Sequence, residues 1–164
     1  MIPFLKPDLR YKTDILSVRL EDIKNLGVEA LILDLDNTII APKTAKLDMP
    51  IKYWLDLMKK HFKIIVLTNN KRPFYLETCE QILDLPVIGF AHKPWNPQKK
   101  KIQELLDFPN EKICVIGDRP LTDIWFSKRN NMKSILVKPL IAEFEPWWKK
   151  ILRRLEAGFV IYEK

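Results

Sequence analysis

Asp34, Asp36 and Thr38 stand at the end of a single apolar run, "ALILDLDNTII" (residues 30–40). Two carboxylates one residue apart repel each other, and a β-strand has little use for either. Their pairing calls for a cation or an electrophile between them. A carboxylate can attack phosphorus to form an aspartyl-phosphate, splitting one difficult transfer into two easier ones. Both partners are anionic, so a divalent cation is needed, and Mg²⁺ suits a site of one or two carboxylates plus phosphate and water. In this scheme Asp34 is nucleophile and metal ligand. Asp36, two residues on along an extended segment, emerges on the same side. It serves as acid and base, protonating the leaving alcohol and then taking a proton from the hydrolytic water.

Other residues complete the set. Asp118, at the end of "CVIGD", adds a metal ligand from a second strand. Charge that builds on the transferring oxygens is stabilised by hydroxyl, backbone N–H and fixed cation. Thr68 with the Asn69 backbone, in "LTNN", supplies the first two, and Lys93 of "AHKPWNP" the third. Singly, Asp, Asn and Thr at such places are read as helix caps and turn formers. Capping gives no reason for Asp34 and Asp36 together.

Positioning these groups on one rim requires a particular sheet. Apolar runs of strand length recur at 30–36, 63–70, 86–90, 112–118 and 133–139. They are continuous Ile, Leu and Val rather than strict alternations, as expected of strands covered on both faces. Between them lie segments of helical spacing at 50–62, 72–85, 96–108 and 120–131, several with Pro near the first turn. Alternating β and α units predict right-handed crossovers and a doubly wound, three-layered α/β fold with a parallel sheet. Ligands of such sheets bind beyond the carboxyl ends of the strands, where Asp34, Thr68 and Asp118 fall. Tyr53, Trp54 and Leu57, at helical spacing, are read as core.

The 164 residues fit one domain, taken as 1–164, with residues 1–28 and a C-terminal helix at about 142–157 as additions. No run approaches the ~20 apolar residues of a membrane span. The opening "MIPFLKPDLRYKTD" is broken by Pro3, Lys6 and Pro7, so no secretory signal is expected. These features point to the cytoplasm. Cys79 and Cys114 read as small buried hydrophobes without a disulfide. The net charge of +7 points to an anionic partner: nucleic acid, an acidic lipid surface or a phosphorylated metabolite.

"DLDNT", "LTNN", the lysine of "AHKP" and "GDRPLTD" resemble, in order, the four motifs of the haloacid dehalogenase superfamily of Mg²⁺-dependent aspartyl-phosphate phosphatases. The resemblance implies its Rossmann-like fold, with Asp34 as nucleophile, Asp36 as acid/base and Thr68 and Lys93 as phosphate ligands. It also implies Asp118 as a metal ligand and Asp123 as a contact of the metal shell or of the lysine. Asp34, Asp36, Asp118 and Asp123 are accordingly the expected metal set, with Thr68, Asn69 and Lys93 for phosphate. The intervals from Thr38 to Lys63 and from Thr68 to Lys93 leave no room for an inserted cap domain, as in the capless subclass III, so the site is expected to be open to a bulky or surface-bound phosphate. The short body, "LDLDNT", "GDRPLTD" and "LEDIKNLGVEALI" resemble the YqeG family, related to phosphatidylglycerophosphate (PGP) phosphatases. That implies a lipid phosphate, and a protein peripheral to the inner face of a membrane.

A helical wheel over "EFEPWWKKILRRLEAGF" puts Phe144, Trp147, Trp148, Ile151, Leu152 and Leu155 on one side. Lys149, Lys150, Arg153 and Arg154 fall on the other. Such a helix either lies in the headgroups of an anionic membrane or packs on the sheet with a solvated basic face. Two other functions remain open: a phosphatase of polynucleotides or other phosphates, and a non-catalytic phosphate-binding module. No basic groove interleaved with aromatics is read near the motifs, which speaks against nucleic acid.

Overall fold

A computed structural model describes residues 5–42 and 44–141. The C-terminal helix expected at about 142–157 lies outside the described residues. The sheet has six strands, all parallel: β1 (Leu9–Arg10), β2 (Ala30–Leu33), β3 (Lys63–Leu67), β4 (Val87–Ile88), β5 (Ile113–Gly117) and β6 (Lys133–Leu136). Their spatial order is β1-β6-β5-β2-β3-β4. The helices are α1 (Leu20–Asn25), α2 (Met49–Lys59), α3 (Pro73–Leu83), α4 (Lys99–Leu106) and α5 (Trp125–Arg129).

Successive side chains of a strand point to opposite faces, and here both faces are apolar. Leu31, Leu33, Ile64, Val66, Cys114 and Ile116 face one layer of core with Ile23 of α1, Ile51 and Leu55 of α2 and Cys79 of α3. Ala30, Ile32, Ile65, Leu67, Ile113 and Val115 face the other, with Ile102 of α4 and Phe126 of α5. The three-layered, doubly wound α/β fold follows from these continuous Ile, Leu and Val runs. Both cysteines are buried and free, Cys79 in α3 and Cys114 in β5.

The N-terminal segment, expected as an addition, is woven into this core. Leu9 and Arg10 pair with Ile135 and Leu136 of β6, Ile15, Val18 and Ile23 are fully buried, and the Trp54 indole donates to the Val18 carbonyl at 2.8 Å. Of the three residues read as core on α2, only Trp54 is buried; Tyr53 and Leu57 are exposed. The 3.6-residue stripe that meets the sheet runs through Ile51, Trp54, Leu55 and Met58, which turns Tyr53 and Leu57 outward. The helix expected over 120–131 is two pieces, a π-helical turn at Pro120–Ile124 followed by α5. Thr38 and β3 are joined by α2 and irregular chain, Thr68 and Lys93 by α3 and β4; no cap domain stands among the described residues.

Candidate active site

β2 and β5 are neighbours, and from them the chain winds outward in opposite directions: β2 to β3 and β4 on one side, β5 to β6 on the other. Side chains beyond their carboxyl ends therefore enter the crevice at the switch point. Leu33 is in register with Ile116, and the Asp34 N–H donates to the Ile116 carbonyl at 2.9 Å. Asp34 thus emerges beside Gly117, with Asp118 one residue beyond.

Asp34, Asp118 and Asp123 each place a carboxylate oxygen so that all three lie within 4.8 Å of one another. Lys93 enters this group from the segment after β4, its Nζ 2.6 Å from Asp34 Oδ1 and 2.6 Å from Asp123 Oδ1. Burial works against the Lys93 charge, but Asp123 and Asp34 outweigh it and hold the ammonium above the usual lysine range. Asp34 is pulled the other way. Burial pushes its carboxyl up to about 8; Lys93 opposes this, while Asp123 and Asp118 add to it.

One ammonium among three carboxylates, those of Asp118 and Asp123 buried and that of Asp34 partly so, leaves an excess of negative charge, in a setting of hard oxygen donors. These are the terms on which Mg²⁺ is bound, and the donor set fits it. The third carboxylate is present because of a glycine. A Cβ on Gly117 would lie 2.4 Å from Asp123 Cγ, a distance that no alanine could accept. The π-helical turn carries Asp123 into this space, where its Oδ2 also accepts the Arg119 N–H at 3.1 Å. Such wide turns often occur at functional sites.

Asp36 is set apart from this group. The sequence places it two residues beyond Asp34 on an extended segment; β2 ends at Leu33, Asp36 forms an isolated bridge with Ile40, and the turn begins at Asn37. The Leu35 carbonyl accepts the N–H groups of Thr38, Ile39 and Ile40 at 3.3, 3.2 and 3.1 Å, and Asn37 adopts φ 73°. The Asp36 carboxylate, expected among the metal ligands, accepts from Tyr75 OH at 2.8 Å and Asn70 Nδ2 at 3.0 Å. Burial and the Asp36 charge raise the Tyr75 phenol, which keeps it a donor.

The segment after β3 joins the two halves. Thr68 is buried, its hydroxyl accepting the Asn70 N–H at 3.1 Å. Asn69 clasps the backbone of Lys93 from both sides: its Oδ1 accepts the Lys93 N–H at 2.7 Å, and its Nδ2 donates to the Lys93 carbonyl at 3.1 Å. Asn69 was expected to act through its backbone alone; its side chain also locates the lysine. The residues that sequence reasoning missed are Asn70, Tyr75 and Gly117. The available signal was a glycine directly before a strand-terminal aspartate, and a second asparagine after Thr68. His92 is exposed, with φ 50°, and its carbonyl accepts the Trp95 N–H at 2.9 Å.

Comparison with known proteins bears on this site. Residues 3–141 match the family described as mitochondrial PGP phosphatase. The chain belongs to that family. Among relatives of this PGP phosphatase family member is the probable phosphatase YqeG of Bacillus subtilis (strain 168), 28% identical over 84% of this chain and 79% of that protein. The phosphatidylglycerophosphate phosphatase 1 proteins of Arabidopsis thaliana and Chlamydomonas reinhardtii are 25% and 27% identical over 93% and 94% of this chain. The chain spans 45% and 58% of those two proteins. An uncharacterized protein of Listeria monocytogenes serotype 4b shares the fold, with a TM-score of 0.55 at 16% identity over 73% of this chain and 85% of that one. A hypothetical protein of Xanthomonas campestris does so at 0.50 and 12% identity, over 86% and 79%. The resemblance read from the motifs is borne out, and this member of the PGP phosphatase family is a phosphatase.

Proposed function

We propose that the protein removes the terminal phosphate of phosphatidylglycerophosphate to give phosphatidylglycerol, through an aspartyl-phosphate on Asp34 and with Mg²⁺ as cofactor. The observation that carries the chemistry is the separate setting of two nearby carboxylates. Asp34 lies with Lys93, Asp118 and Asp123, whereas Asp36 is held by Tyr75 and Asn70. Environments that divide a carboxylate pair also divide its roles. The lipid substrate is supported by the family match and by the names of the Arabidopsis and Chlamydomonas relatives.

Asp34, Asp118 and Asp123 would hold the metal ion, which when bound offsets the repulsion between Asp34 and the phosphate. An Asp34 oxygen attacks phosphorus as the P–O bond to the glycerol breaks, and Asp36 protonates the departing oxygen. Asp36 then takes a proton from water, the oxygen of that water attacks phosphorus, and the Asp34–phosphorus bond breaks to release inorganic phosphate. Lys93, the Thr68 hydroxyl and the Asn69 N–H stabilise charge on the non-bridging oxygens. Tyr75 and Asn70 fix the direction of Asp36. The chain acts as one domain, 1–164, peripheral to the inner face of a membrane. No described helix is long and apolar enough to cross one.

The test is phosphate release from PGP in mixed micelles, beside a phosphorylated oligonucleotide, a phosphopeptide and sugar phosphates, with and without chelator. A clear preference for PGP that chelation abolishes is expected. Preference for any other substrate overturns the lipid assignment, and chelator-resistant turnover overturns the metal.

A further inference from the structure

β3 and β4 are parallel neighbours, so the segments that leave their carboxyl ends, with the first turns of α3 and α4, share the edge on which Asp34 and Lys93 lie. These segments are tied together: the Phe90 N–H donates to the Asn70 carbonyl and the Ala91 N–H to that of Thr68, both at 3.0 Å. Residues 68–76 and 89–103 hold six Lys and Arg and no Asp or Glu. Lys93 is buried in the site; Lys71, Arg72 and Lys99 to Lys101 are all exposed.

Three exposed aromatics stand in the same segments: Phe74 at 83%, Phe90 at 42% and Trp95 at 56%. Trp95 is braced, with the Arg129 guanidinium 4.5 Å above its ring and the Trp125 ring 6.3 Å away. Phe74 sits on the first turn of α3, where water meets nearly the whole ring. Of these cations Lys100 lies 3.8 Å from Glu104 just beyond the segment; large apolar side chains held in water beside a cluster rich in exposed cations mark a surface built for a partner. The sequence shows no basic groove interleaved with aromatics near the motifs, and this cluster is not visible in it. Its members are divided between two loops that only the parallel pairing of β3 and β4 brings together.

We propose that this rim is a membrane-docking surface, on which Phe74, Phe90 and Trp95 enter the headgroup layer of an anionic bilayer while the lysines and Arg72 engage its phosphates. Aromatic residues favour that layer, and basic side chains gain from the negative surface potential. The inference rests on the lipid-phosphate reading above, because a phosphate anchored in a bilayer reaches Asp34 only if the mouth of the site faces the membrane. The mouth and the rim are on one edge, so docking delivers the headgroup. Charge complementarity sets the occupant as an anionic lipid surface. A single-stranded nucleic acid, which also uses aromatics and cations, becomes an outcome of the test.

The experiment compares the parent chain with Phe74→Gln and with the triple variant Lys99→Gln, Lys100→Gln, Lys101→Gln. Sedimentation is measured with phosphatidylglycerol/phosphatidylcholine vesicles and with a single-stranded oligonucleotide; melting temperature and p-nitrophenyl phosphate turnover report on the fold and the site. The triple variant should lose about tenfold or more in vesicle binding at low salt. Phe74→Gln should also bind more weakly, and vesicle-borne PGP should be hydrolysed more slowly by both, with aryl phosphate turnover unchanged. A parent that ignores the vesicles, or folded variants that sediment with them like the parent, overturns the docking surface. So does a loss confined to the oligonucleotide. If such variants still cleave PGP in micelles, the substrate assignment survives and the rim alone is refuted. Rim-dependent vesicle binding without PGP hydrolysis in any form upholds the surface and refutes the substrate.

Discussion

Gly117 and Asp123 are in such close approach that a single methyl group on the glycine would occupy the place of the Asp123 carboxylate. Gly117→Ala should therefore push Asp123 off Lys93, although neither residue is changed in chemistry. Misplacing a group by about 1 Å can cost ~10²-fold in rate, so a loss of that order is expected in aryl phosphate turnover. Steady-state kinetics on folded protein check it. Parent-like turnover would mean that the Asp123 position is immaterial.

Asp34→Asn should abolish turnover, since the amide cannot attack phosphorus, while the fold is retained. With divalent cations chelated it should also stabilise the protein at high pH. Burial pushes the Asp34 carboxyl up to about 8 in the fold, against 3.8 ordinarily. The folded chain therefore holds a proton that the unfolded chain gives up, and the parent loses stability as pH rises from about 4 through 8. The variant lacks this loss. Its melting temperature should match the parent near pH 4 and exceed it at pH 8, by about 2–4 °C for each kcal/mol regained. Thermal scans across that range decide it; a variant less stable than the parent at pH 8 would contradict the charge balance.

Asp36→Asn should slow cleavage of an alkyl phosphate by ~10²- to 10⁴-fold, the usual worth of general acid catalysis. p-Nitrophenyl phosphate, whose leaving group needs no proton, should be affected far less where formation of the phosphoenzyme limits the rate. Tyr75→Phe, which removes the 2.8 Å hydrogen bond to Asp36, should show the same leaving-group dependence in weaker form. Equal losses for both substrates would remove Asp36 from the role of acid.

Asp8→Asn probes the N-terminal segment. Asp8 Oδ2 accepts from Lys128 Nζ at 2.6 Å and from the N–H and hydroxyl of Ser134 at 2.9 Å each, fastening β1 to β6. Burial alone would raise this carboxyl, but Lys128 and Ser134 outweigh it and the net shift is downward. Its stabilisation is thus present above the unfolded value of about 3.9 and lost as pH falls through the lower folded one. The variant should cost about 1–3 kcal/mol at pH 7, a difference that vanishes in acid. Denaturant titrations at pH 7 and below pH 3 measure it. A cost that persists unchanged in acid would refute the role assigned to the charge.

The central strands and the residues at their ends were legible because the Ile, Leu and Val runs of β2, β3 and β5 are long enough to show their kind. β1, two residues long, and α1, six, carry too little pattern to be read. The joining of Asp34, Lys93, Asp118 and Asp123 could be anticipated because each follows a strand of one sheet. The partners of Asp36 could not. Tyr75 lies 39 residues away on a helix whose rotation about its own axis no local spacing reveals. Gly117 reads as an ordinary strand-ending glycine until the π-helical turn brings Asp123 over it.

The strands at the two edges of the sheet, β1 and β4, have only two residues each, against five in β3 and β5. An exposed edge is a template on which another chain can add strands, and short edge strands blunt it. A protein that gathers on a lipid surface meets its own copies at far higher concentration than it does in bulk water. The longest runs of β-forming residues are sealed in the middle of the sheet, so the edges of the described residues offer a second copy little strand backbone to pair with. Among the described residues, the order of the strands leaves the least pairing backbone at the two edges.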